Sequence, residues 1–134
     1  MHIRGSSRSK RGGMVLDSNV LIGYLNGDVA IRDALHAWRE TGTVLFISQV
    51  SVIEALSYPA LDAHEVKDIE LFLGDFIAIP IDMEICRRAA ELRRIHKFAT
   101  PDAIIVASAM VNGLPLVTRD RKMRSVKGVD LVGI

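Results

Sequence analysis

Four carboxylates in this chain are placed where they could do chemistry together. Asp17 follows the apolar pair Val15-Leu16 and opens the run Ser18-Asn19-Val20-Leu21-Ile22. Glu54 closes Ser51-Val52-Ile53-Glu54, Asp102 sits in Thr100-Pro101-Asp102-Ala103, and Asp120 ends Thr118-Arg119-Asp120. Carboxylates gathered in one cleft repel one another and do not all stay ionised without a cation. Oxygen donors suit hard divalent ions, and Mg²⁺ keeps several waters while using one or two carboxylates with phosphate oxygens. Such a centre orients a water, lowers its pKa and offsets charge on a phosphodiester under in-line attack. Thr118, Ser18 and Asn19 could add neutral oxygens or fix the waters.

Three of the acids also have a plainer explanation. Asp17 could be only a helix N-cap. Asp102 could be only a first-turn acid favoured by the helix dipole. The helix behind Asp102 is apolar nearly all round, which buries it and points the carboxylate toward a cleft. Glu54 lies among Val50, Val52, Ile53, Ala55 and Leu56. It faces either solvent along one polar stripe or a polar cleft, and the pattern alone leaves both open. Other chemistries lack their residues. His36, His64 and His96 are scattered, so no zinc set forms, and neither a phosphate-binding glycine loop nor a serine elbow is present.

The elements that must position these acids alternate between strand and helix. Asp17 leads into a helix stopped by Asn26-Gly27. Asp28 caps a second helix with Ile31, Leu35 and Trp38 on its apolar face, ended by Thr41-Gly42. Val44 to Ile47 reads as a buried strand, with Ser48 capping a helix from Gln49 to Tyr58 closed by Pro59. An amphipathic helix spans Asp62 to Asp75. Phe76 to Ile81 forms a third strand, and Asp82 caps a long helix to Lys97. Thr100 is the expected N-cap and Pro101 the first residue of the apolar helix that follows. Leu114 to Thr118 is a fourth strand, Arg121 to Arg124 a short helical turn, and Val129 to Val132 an edge strand. This alternation predicts an α/β fold with a parallel sheet and helices on both faces. Right-handed crossovers then bring the carboxyl ends of the central strands, and the four acids, to one edge.

Composition sets the outer bounds. The chain has 134 residues, about half of them apolar, with one cysteine and a formal net charge of +1. No apolar run is long enough to span a bilayer, and Cys86 has no partner for an intrachain disulfide, which suits the cytoplasm. Residues 1–13 are polar and basic without periodicity, and are expected to be a disordered leader or tag ahead of one domain over residues 14–134. Without Arg4, Arg8, Lys10 and Arg11, thirteen of the seventeen basic residues remain against sixteen acids, a net of −3. Overall charge therefore does not argue for a nucleic-acid partner. Its distribution says more: ten of those thirteen fall in two groups, Arg87 to Lys97 and Arg119 to Lys127. They are either solvated helix faces or a surface that follows phosphates, with Arg93, Arg94, Arg119 and Arg121 the candidate RNA contacts.

The stretches around Asp17, Glu54, Asp102 and Asp120 closely resemble the four acidic motifs of PIN-domain ribonucleases, and the length and spacing resemble the VapC toxins of toxin–antitoxin pairs. The likeness spans residues 14–134. It implies a three-layer α/β/α sandwich around a mainly parallel sheet, and an endoribonuclease dependent on Mg²⁺ or Mn²⁺. It also implies a cognate antitoxin and a homodimer. Carried over by position, it makes Asp17, Glu54, Asp102 and Asp120 the metal-site acids, supported by Thr118 or Ser18. Ser18 stands where relatives commonly have Thr, and Met123 where an aromatic is common; neither change removes a carboxylate. Two alternatives remain. One is a PIN-fold module that binds RNA or protein without cutting, against which the presence of all four acids argues. A phosphatase of the haloacid-dehalogenase type needs a second Asp where this chain has Asn19.

Overall fold

A computed structural model describes residues 12–134. The chain runs β1 (Gly13–Leu16), α1 (Ser18–Leu25), α2 (Val29–Glu40), β2 (Val44–Ser48), α3 (Gln49–Ala55), α4 (Ala63–Leu73) and β3 (Ile77–Ile79). It continues through α5 (Met83–His96), α6 (Thr100–Val111), β4 (Leu116–Val117), a 3₁₀ turn (Arg121–Ser125) and β5 (Leu131–Val132). The leader expected over residues 1–13 falls mostly on residues 1–11, outside the described residues. Gly13, expected to belong to that leader, instead begins β1. It is buried and pairs with Val44. A Cβ at this position would lie 2.5 Å from the Phe46 ring and 2.8 Å from the Val44 carbonyl oxygen, so the close approach of β1 to β2 requires glycine.

All five strands are parallel, in the order β3-β2-β1-β4-β5, so β1 is central and β5 is an edge. Successive side chains of a strand point to opposite faces, and the core divides accordingly. Met14 and Leu16 join Leu45, Ile47 and Val117 beneath α1, α2 and α4, contacting Val20, Leu21, Ile31, Leu35 and Leu73. Val15 and Leu116 join the opposite cluster with α5, α6 and the 3₁₀ turn, through Ile85, Leu92, Ile105, Val106 and Met123. Helix α3 contributes to both clusters, with Val50 in one and Ala55 in the other. The result is the three-layer α/β/α sandwich. Helix α6 is buried along most of its length, as its composition requires.

Side-chain caps form at four helix starts, three of them, at Asp28, Ser48 and Asp82, as the sequence implied. The side chains of Asp28, Ser48, Asp62 and Asp82 each accept a backbone N–H of the first turn. Elsewhere the elements differ. Helix α6 starts at Thr100, with Ala99 in the N-cap position and no side-chain cap. Helix α3 ends at Ala55 rather than Tyr58. Tyr58 precedes Pro59 and is held away from helical geometry, while the Ser57 hydroxyl donates to the Ile53 carbonyl. Strands β3, β4 and β5 are shorter than their apolar runs, because pairing with the neighbouring strand sets their length.

Candidate active site

Strand β1 ends at Leu16, paired with Val117 of β4, so Asp17 and Thr118 leave the sheet side by side. The Asp17 backbone N–H donates to the Val117 carbonyl at 2.9 Å. Asp17 occupies the N-cap position of α1, yet its carboxylate makes no capping hydrogen bond. The plain N-cap explanation therefore fails for this residue. Its Oδ2 instead accepts the Thr118 hydroxyl at 2.8 Å, and the residue is 2% exposed. The same Thr118 oxygen accepts the Asp120 backbone N–H at 3.0 Å. One hydroxyl thus ties a carboxylate on β1 to the turn after β4.

Burial pushes the Asp17 carboxyl above its usual range. The Thr118 hydrogen bond works against that rise, and the charges of Asp102 and Asp120 add to it. Asp102, half-buried in the first turn of α6, is also raised. Burial is again the main cause, with the Lys122 ammonium opposing it and Asp120 adding to it. Asp17, Asp102 and Asp120 therefore share one electrostatic field. Asp120 is also structural, since its Oδ1 accepts the Lys122 backbone N–H at 2.9 Å and caps the 3₁₀ turn.

Glu54 is attached differently. It lies in the last turn of α3, half-buried, with Oε1 accepting the Ser18 hydroxyl at 2.6 Å. Ser18 Oγ is also 2.7 Å from Ser51 Oγ. Ser18 has one hydroxyl proton and gives it to Glu54, so Ser51 is the donor to Ser18. Of the two orientations left open for Glu54, the one toward the polar side beside Asp17 is adopted. Ser51 is fully buried and is a partner that sequence reasoning missed, although it stands three residues before Glu54. Lys122 was missed as the cation beside Asp102. Asn19 is exposed in the first turn of α1.

Among the described residues no three Asp, Glu, His or Cys side chains stand close enough to form a ready-made ion cage. The acids form a three-aspartate field with Glu54 linked through Ser18. That arrangement fits a Mg²⁺-like ion, which takes one or two protein carboxylates and completes its shell with water and phosphate oxygens. The two raised carboxyls are groups that a cation would relieve. Asp17 and Asp102 are the residues best able to hold it, with Asp120 and Glu54 at the margin.

The four arginines separate. Arg93 donates Nε to the Phe98 carbonyl at 3.1 Å and bridges the α5–α6 connection. Arg94 lines a shallow depression on α5 with Glu84, Arg87, Arg88 and Glu91, where charges of both signs mix. Arg119 donates Nη1 and Nη2 to Asp28 at 2.8 and 3.4 Å. Arg121 lines a cleft of about 430 Å³ together with Thr118 and Asp120. The described histidines serve elsewhere: His64 pairs with Asp68, His96 stacks on Phe98, and His36 meets the Tyr24 hydroxyl at 3.3 Å.

Comparison with known proteins places the sequence and the fold. The PIN-domain family model matches residues 14–129. Ribonuclease VapC10 of Mycobacterium tuberculosis is 36% identical over 110 residues, covering 78% of this chain and 80% of the relative. A toxin–antitoxin complex from Klebsiella pneumoniae contains a chain of 30% identity and TM-score 0.77, covering 90% of this chain and 96% of that one. VapBC2 from Rickettsia felis, bound to a promoter DNA fragment, has the same fold at 16% identity, with TM-score 0.78 over 90% of this chain and 98% of that one. A family match over nearly the whole described body, with a VapC ribonuclease among its relatives, means that this chain belongs to the PIN-domain family, in its VapC-like branch.

Proposed function

We propose that this protein is a divalent-metal-dependent endoribonuclease, the toxin of a toxin–antitoxin pair, with Mg²⁺ or Mn²⁺ as its cofactor. The observation that carries this is the buried Asp17 carboxylate, held by Thr118 and charged against Asp102 and Asp120 at the carboxyl ends of β1 and β4. A buried acid with two acidic neighbours costs stability unless a cation answers it. The VapC10 relative is a ribonuclease, and the Klebsiella relative is a toxin–antitoxin complex.

In this reading the chain orients three of the four acids through a hydrogen bond to one carboxylate oxygen. Thr118 holds Oδ2 of Asp17, Ser18 holds Oε1 of Glu54, and the Lys122 amide holds Oδ1 of Asp120. Partners of this kind fix the direction in which a ligating group presents itself. Asp17 and Asp102 would hold the metal, and Asp120 and Glu54 would complete the site. When bound, a divalent cation lowers the pKa of a water and offsets charge on the phosphodiester. Glu54, with Oε2 free, accepts a proton of the attacking water through a hydrogen bond. Lys122 offsets the charge of Asp102.

The body from β1 onward acts as one domain. No described helix is long and apolar enough to cross a membrane, and we place the protein in the cytoplasm, where RNA and an antitoxin are available. Exposed Ile53, Leu71, Met83 and Ile95 leave apolar surface for the antitoxin and for a second copy in a homodimer. The test is incubation of the purified chain with mixed RNAs. Cleavage should require added Mg²⁺ or Mn²⁺, stop in EDTA, and fall by at least about 100-fold in Asp102→Asn, as when one key electrostatic group is lost. Undiminished cleavage in EDTA would sink the assignment.

A further inference from the structure

Arginines approach the acids from the side of the 3₁₀ turn. Arg119, Arg121 and Arg124, with Thr118, Asp120 and Leu131, line the open cleft of about 430 Å³. Thr118, which holds Asp17, and Asp120, which shares its field with Asp17 and Asp102, line this cleft, so it adjoins the acid site. A molecule in the cleft touches Asp120 and lies beside the residue that holds Asp17.

The three guanidinium groups are not equivalent. Arg119 is engaged by both oxygens of Asp28 at the start of α2, which ties the turn after β4 to the opposite layer of the sandwich. Arg121 and Arg124 are exposed and have no carboxylate within ion-pair distance among the described residues. They lie three residues apart in a 3₁₀ turn, where side chains at i and i+3 eclipse, so both project along one edge. The turn itself is anchored, since Met123 between them is fully buried and Val126 behind them joins the same core. Two unpaired guanidinium groups in a row on an anchored turn suit consecutive phosphates, which match the planar fork of Arg better than the point charge of Lys.

Resting on the nuclease reading, we propose that this cleft is a backbone-phosphate subsite. Arg121 and Arg124 take the phosphates of an RNA strand that flank the bond presented to the acids. Arg119 stays on Asp28 and supports the turn without contacting RNA.

The test is equilibrium binding of an end-labelled single-stranded RNA of mixed sequence, read by fluorescence anisotropy with the full chain in EDTA across a salt series. Each lost phosphate contact lowers the slope of log K against log salt by about 0.7 for single strands, so Arg121→Gln/Arg124→Gln should lower it by about 1.4. Arg121→Lys/Arg124→Lys keeps the charge and should restore the slope. Arg119→Gln, and Arg88→Gln on α5, should leave it unchanged. An unchanged slope in the double Gln variant overturns the subsite. A loss in Arg119→Gln as large as in the double variant overturns the division of labour. Binding of a poly-glutamate peptide with RNA left unbound assigns the cleft to an acidic protein and also overturns the proposal. Binding is read without cleavage, so the two readings fail separately. A chain that binds as expected but cuts nothing sinks the nuclease reading and leaves the subsite standing, and a chain that cuts RNA with an unchanged slope does the reverse.

Discussion

Replacing Thr118 with Val removes one hydroxyl and almost no volume, and its effect should depend on pH. The hydroxyl donates to the Asp17 carboxylate at 2.8 Å in a site 2% exposed to solvent, and accepts the Asp120 amide at 3.0 Å. A hydrogen bond to a charged group contributes about 1.5–3 kcal/mol, more when its loss strands a buried partner, so about 2 kcal/mol is expected for Thr118→Val. In a domain of this size that lowers Tm by about 8 °C. Burial already holds the Asp17 carboxyl above its ordinary value of 3.8, and Thr118 pulls it back down. A carboxyl raised in the folded state loses stability as pH climbs from 3.8 through the folded pKa, because the unfolded chain ionises first. Without Thr118 the folded pKa is higher still, and the loss continues over a longer pH range. The deficit against wild type should therefore be small near about pH 4 and reach full size near about pH 8. The assay is a set of melting curves in EDTA across that range for wild type, Thr118→Val and Thr118→Ser. A deficit of equal size at both ends would refute the reasoning, as would a Thr118→Ser protein that does not recover the wild-type curve.

Three further outcomes follow from the same contacts. Asp17→Asn removes the buried charge, keeps an acceptor for Thr118, and should melt above wild type in EDTA at neutral pH. Wild type should gain about 2.7 kcal/mol at Mg²⁺ or Mn²⁺ about one hundred times its Kd, and an equal gain in Asp17→Asn would remove Asp17 from the metal site. Gly13→Ala forces a Cβ against the Val44 carbonyl and the Phe46 ring and should cost about 1–3 kcal/mol, read from the urea midpoint; an unchanged midpoint would show that β1 does not need the close approach. Ser51→Ala removes the buried donor behind Ser18 and should cost about 1 kcal/mol, with metal affinity falling about tenfold through the loosened Glu54. If stability falls while metal affinity holds, Ser51 is structural only.

What could be read from the chain alone is what depends on near neighbours. Asp28, Ser48 and Asp82 cap their helices as expected, because a cap is settled within three residues. The strand–helix alternation led to the parallel α/β/α sandwich, because strand and helix periods differ and parallel strands need crossovers. The apolar content of α6 implied its burial, and the resemblance of four short motifs pointed to the family. Decisions between distant residues needed the tertiary structure. Asp17 meets Thr118 across 101 positions, and Arg119 meets Asp28 across 91. No local pattern could say that the first is no helix cap, or that the second is paired and not free for phosphate. Glu54 faces the polar side because Ser18, 36 residues earlier, reaches it where α1 and α3 meet. Gly13 reads as part of a polar leader in the sequence, and only its pairing with β2 makes it a strand residue. Sequence period and capping act over a turn of helix or a pair of strand positions. Hydrogen bonds and ion pairs at the carboxyl edge of the sheet are made between elements that only folding brings together.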